Sequence, residues 1–67
     1  MNLNPVNSSR MRAVGWERDT MYAEFHDGAV YAYESVPRAE YESFIASQSP
    51  GRELSRLDKR HRYRRVR

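Results

Sequence analysis

The densest chemistry in this chain lies between Arg52 and Arg67. Those residues include eight Lys or Arg and only two acids, Glu53 and Asp58, a balance of +6. Residues 1–51 hold four basic and seven acidic residues, a balance of −3, so the overall +3 hides a polarised molecule. A basic tract with a ring inside it has the composition of a polyanion-binding surface. Arg56, Lys59, Arg60, Arg62, Arg64 and Arg65 supply charge for phosphates, and Tyr63 supplies a face on which a base can stack. His61 falls in the same tract. The competing explanation is a solvated tail that only aids solubility.

A second pair of residues is placed for recognition. Tyr31 and Tyr33 stand at i and i+2. On a strand such residues project from one face, roughly 7 Å apart, a spacing that suits stacked bases. The same spacing suits two half-buried packing residues, and a helix lying on that face would make them so. Trp16 raises the same alternative, with core packing favoured over an exposed contact.

Catalytic chemistry finds no support. No serine lies in a nucleophile-elbow context. Glu40 and Glu42 are two apart on a helix and face different ways, so they make no acid–base pair. His26 sits beside a turn signal, where a surface role is the ordinary one. Two histidines and no cysteine cannot close a zinc site, and no cofactor is implied. The chain is therefore expected to be a binding module and not an enzyme.

The elements that position these residues must come from 67 residues without a disulfide. A domain of this size buries only about 60% of its unfolded surface. It depends on Met11, Trp16, Met21, Phe25, Tyr31, Tyr33, Tyr41, Phe44, Ile45, Leu54 and Leu57 for a core, and a monomer or weak homodimer fits that supply. No apolar run approaches the ~20 residues of a membrane span. The N-terminus has no signal-peptide pattern, so Asn7-Ser8-Ser9 is a chance match to a glycosylation site and a cytoplasmic location is expected.

Residues 1–8 form an extended, polar lead-in. Ser9 to Glu17 alternates weakly and gives a first strand, closed by a turn at Glu17-Arg18-Asp19. Thr20 to Phe25 and Ala29 to Glu34 alternate with a period of two around His26-Asp27-Gly28, a hairpin signal. A three-residue loop with Gly28 in the left-handed region pairs Phe25 with Ala29. It gathers Met21, Ala23, Phe25, Tyr31 and Tyr33 on one face and leaves Tyr22, Glu24, Val30 and Glu34 on the other. Pro37 opens a helix whose stripe is Tyr41, Phe44 and Ile45. Ser47 to Gly51 is a stop. A second helix runs from about Arg52 to Arg60 with Leu54 and Leu57 inward, and residues 62–67 form a short strand or a disordered end. The expected fold is one α+β domain over residues 1–67: a three-stranded antiparallel sheet followed by two helices on one face.

Ser8-Ser9, Ala13-Val14-Gly15, Phe25-x-x-Gly28, Tyr31-x-Tyr33, Val36-Pro37 and Tyr41 occur in an order that resembles the KTSC domain. The resemblance spans about residues 7–63, and its motifs are short but share a common order. The family is named for its place at the C-terminus of some lysyl-tRNA synthetases, and it also occurs as small free-standing proteins of bacteria and phages. Tyr31 and Tyr33 match its central Tyr-x-Tyr. Attachment to a tRNA-handling enzyme implies RNA as a ligand by association only. The chain departs from the family at Gly51-Arg52-Glu53-Leu54, where an aromatic and an Asn are missing, so no contact of theirs carries over. Two functions follow as expectations. One is nucleic-acid binding, to RNA above all, through the basic end. The other is a bacterial or phage regulatory module docking on an acidic protein partner.

Overall fold

The computed structural model describes residues 2–67. Its sheet has five antiparallel strands in sequence order: β1 (Asn4–Pro5), β2 (Met11–Glu17), β3 (Thr20–Phe25), β4 (Val30–Tyr33) and β5 (Tyr63–Arg65). Two helices, α1 (Arg38–Ala46) and α2 (Pro50–Arg60), are inserted between β4 and β5. The α+β class is as expected, but the three-stranded sheet is not. The central hairpins carry periodic apolar residues, whereas the added edge strands do not. β1 is two residues long and contains Pro5, and β5 is largely arginine.

The β3–β4 hairpin has the expected register. The Phe25 amide donates to the Ala29 carbonyl at 2.8 Å, and Gly28 stands at φ +93°. Met21 faces Tyr33 and Ala23 faces Tyr31 across the ladder. The weak alternation of β2 has a physical cause. Its register slips between Met11 and Ala13, so a bulge at Arg12 returns both Met11 and Val14 to the helix-covered face. At the other end of β2, Arg18 and Asp19 form the two-residue turn with φ of 51° and 61°. That is the primed turn matching strand twist, built here without glycine.

The core gathers Met11, Val14, Met21, Ala23 and Tyr33 from the sheet with Val36, Tyr41, Phe44, Leu54 and Leu57. Ile45 departs from the expected stripe and is 46% exposed. The nine-residue α1 turns only Tyr41 and Phe44 inward. Trp16 packs beside this core, as favoured. Its ring stacks with Tyr41 at 6.4 Å, and its Nε1 donates to the Val36 carbonyl at 2.8 Å. Two prolines also move. Pro37 caps α1 from an extended conformation, and Pro50 is the first residue of α2 where a stop was expected. Proline lacks an amide that the first turn would leave unbonded anyway, so it starts a helix as readily as it ends one. The opposite sheet face is not bare either. Val30 and Ala32 are buried on it, and the N-terminal segment crosses it so closely that a side chain at Gly15 would strike the Asn2 carbonyl.

Candidate nucleic-acid interface

The basic tract is folded, and folding divides it. Arg56 and Arg60 stand on α2, where each meets an acid: Arg56 meets Glu53 at 3.4 Å and Arg60 meets Glu40 at 3.6 Å. Arg67 pairs with Glu24 at 3.5 Å. Lys59, Arg62, Arg64 and Arg65 are exposed and have no ion-pair partner among the described residues. Of the six cations expected to act together, two therefore share their charge with acids and four do not.

His61 leaves the expected polyanion surface altogether. It ends α2, and its side chain is only 10% exposed. Nδ1 lies 3.0 Å from the Glu34 carbonyl, and Nε2 lies 2.9 Å from the Glu40 carboxylate. The ring thereby joins the end of β4 to α1. It is a structural tie at the foot of β5.

β5 arranges the rest of the tract. The Glu34 amide donates to Arg62 and the Val66 amide donates to Val30, so the even-numbered residues 62–66 bond to the β4 side, and Arg67 joins them at Val30. The backbone groups of Tyr63 and Arg65 consequently point outward from the sheet edge. The side chains alternate about the sheet. Tyr63 and Arg65, paired with Tyr33 and Tyr31, stand on the helix-covered face. Arg64, paired with Ala32, stands on the other. There it lines an open cleft of about 580 Å³ with Arg18, Tyr22 and Ser35.

On the helix side the sheet projects beyond its cover. Tyr33 lies beneath α2 and is buried, its hydroxyl donating to Asp58 at 2.8 Å. Burial, then the Asp58 hydrogen bond and charge, hold that phenol protonated well above its usual range. Tyr31 is half-buried. It meets Phe25 edge-on at 5.4 Å and Tyr63 at 6.0 Å, while Tyr63 lies against Tyr33 at 5.3 Å. Thus Tyr33 of the Tyr-x-Tyr pair is core and Tyr31 is at the margin. Phe25, Tyr31 and Tyr63 line a cleft of about 360 Å³ with Arg10, Arg65 and Asp58.

Arg10 and Asp58 belong to this region without having been expected there. Arg10 reaches the Ser55 hydroxyl at 3.1 Å and Asp58 at 3.7 Å. The two ends of that contact lie more than forty positions apart in sequence, and no local pattern marks either as a partner of the other. Among the described residues no His, Cys, Asp and Glu group fits a metal ion, and no helix is long and apolar enough to cross a membrane.

Residues 7–63 match the model of the KTSC domain. The chain is also 33% identical over 61 residues to an uncharacterized protein of Stutzerimonas stutzeri (strain A1501), a match covering 88% of this chain and 86% of that protein.

Proposed function

We propose that this chain, which belongs to the KTSC domain family, is a small non-enzymatic module that binds single-stranded nucleic acid, RNA above all, along β5. The observation that supports this most is the fixed setting of Tyr63. Its residue is 49% exposed, its ring rests on Tyr33, and Arg62, Arg64 and Arg65 flank it with no carboxylate partner among the described residues. The strand sets Arg65 on the face of Tyr63 and Arg64 on the other, so a phosphate backbone running along the β5 edge meets cations on both sides of it. Lys59 extends the positive rim along α2. Arg56 and Arg60 contribute less, since each must share its charge with an acid.

The exposed edge favours a second reading. The outward backbone groups of Tyr63 and Arg65 could pair with an extended acidic segment of a partner protein. Capture of partners from a cell lysate, with and without nuclease, separates the two. Nucleic-acid binding predicts recovery of RNA and loss of co-captured proteins after nuclease. Proteins that remain bound after nuclease, with no RNA recovered, would instead select the acidic partner.

A further inference from the structure

We infer that the cleft between Phe25, Tyr31 and Tyr63 is a pocket for a single unstacked nucleobase. The inference rests on the nucleic-acid reading of β5 and adds to it a place where a base, not only a phosphate, is held. The rings come from three neighbouring strands: Phe25 from β3, Tyr31 from β4 and Tyr63 from β5. They stand where α2 no longer covers the sheet, and the cleft of about 360 Å³ has room for a planar heterocycle. Phe25 meets Tyr31 at 90° and Tyr31 meets Tyr63 at 53°, so the rings do not close into one flat stack. Tilted rings leave faces and edges for a guest to complete.

The polar groups around the rings suit a base better than a phosphate. Among the described residues, neither the Tyr31 nor the Tyr63 hydroxyl has a hydrogen-bond partner, although most polar groups around them do. Asp58 lies at the inner wall, where it receives Tyr33 and faces Arg10. Asp27 lies at the rim, its carboxylate accepting the Ala29 amide at 3.0 Å. The Asp58 carboxylate disfavours a phosphate in the interior, and both carboxylates can accept hydrogen bonds from amino groups on base edges. The phosphate belongs at the mouth. There Arg65 keeps its terminal guanidinium nitrogens available while its Nε donates to the Arg67 carbonyl at 3.0 Å. Base inside and phosphate outside is the polarity of a splayed single strand.

The test compares a labelled short oligoadenylate with an abasic ribose–phosphate strand of equal length, by fluorescence anisotropy at low salt. The pocket predicts that the abasic strand binds about tenfold or more weakly, the scale of one base stacked on aromatic residues. Tyr63→Leu should remove that difference, and Tyr63→Phe should keep most of it. Tyr63 is exposed, so both variants are expected to fold, and circular dichroism checks that they do. Equal binding of the two strands overturns the pocket while leaving the electrostatic reading of β5 standing. A difference that survives in both Tyr63→Leu and Tyr31→Leu places base recognition elsewhere and also overturns it. Failure of the parent protein to bind either strand overturns the pocket and the nucleic-acid reading together.

Discussion

Two aromatic clusters with arginines lie on the helix-covered face of the sheet, one around Trp16 of β2 and one around Tyr63 of β5, and they differ in what is left over. Around Trp16 the indole N–H and the neighbouring guanidinium are both engaged. The indole donates to Val36, its ring stacks on Tyr41, and the Arg38 guanidinium lies 5.1 Å from the Trp16 centroid while also pairing with Glu42 at 2.7 Å. Around Tyr63 the rings touch, but Arg62, Arg64 and Arg65 have no carboxylate partner among the described residues, and Arg65 donates only its Nε, to the Arg67 carbonyl. A small domain that depends on a modest core gains nothing in stability from charged groups left idle. This difference supports the proposal that the second cluster, rather than the first, meets a ligand. The same residue types serve both, and their partners separate the roles.

The largest effect expected from breaking this contrast is in the core beneath Trp16 and Tyr41. Phe44 is buried against the core, so Phe44→Ala should cost about 3–5 kcal/mol, close to the whole stability of a domain this small. Ile45 is its neighbour in sequence but is exposed, and Ile45→Ala should stay within about 0.5 kcal/mol. Thermal melts of both variants decide the matter. Equal melting temperatures would mean that α1 does not dock through Phe44.

Next comes the turn that sets the register of the aromatic edge. Gly28 has open space around it but stands at φ +93°. Gly28→Val therefore meets no steric neighbour and suffers only the backbone conformation, a loss of roughly 1–3 kcal/mol. Chemical denaturation should report it. A neutral Gly28→Val would show that the turn relaxes to negative φ, and Phe25 would no longer be held beside Tyr31.

Much of the central architecture is legible in the sequence. The two-residue period of Met21–Phe25, the Asp27-Gly28 pair and the bulky residues at 31 and 33 together specify the hairpin and its register. They do so because burying one face penalises every alternative pairing. The chain ends are less legible for the same reason. β5 pairs through backbone groups and places arginines outward, so no apolar period marks it. Ile45 lies outside the buried stripe because helical spacing gives the width of a stripe but not how far a partner sheet extends over it. Pro50 is ambiguous in sequence because the same proline both ends and begins helices. His61 lay in a basic run by sequence, but its neighbours Glu34 and Glu40 come from elements that only folding brings near. Arg10 and Asp58 were invisible for that reason too.

A smaller effect is expected where the two regions meet, at Tyr33, which is core on one side and stacks with Tyr63 on the other. Tyr33→Phe removes the hydrogen bond to Asp58 and should cost about 1 kcal/mol near neutral pH. The folded protein holds the phenol protonated above its unfolded value of 10.0. A raised folded pKa contributes stability that is fully present below the unfolded pKa and is lost as pH rises through the folded one. The parent should therefore lose stability steadily above about pH 10, and Tyr33→Phe should lose less over the same range. Parallel pH dependences would mean that Tyr33 is not the group that titrates.

The smallest change in stability should accompany the largest change in electrostatics. Arg62, Arg64 and Arg65 are exposed, so their joint replacement by Gln should alter the melting free energy by no more than about 0.5 kcal/mol per site. Binding of single-stranded RNA should fall steeply with salt in the parent, with a log–log slope of about −0.7 for each phosphate contacted. If these three cations each meet one phosphate, the triple variant should flatten the slope by about 2. It should weaken all sequences alike, since phosphate contacts carry no base information. The paired replacement Arg56→Gln and Arg60→Gln is the contrast, because those guanidiniums already face Glu53 and Glu40. Removing them also exposes two carboxylates, so affinity should drop somewhat while the slope changes less than in the triple variant. Filter binding or anisotropy across a salt series reads both quantities. An unchanged slope in the triple variant, with a flattened one in the helix pair, would move the phosphate path from β5 to α2 and leave Tyr63 off it.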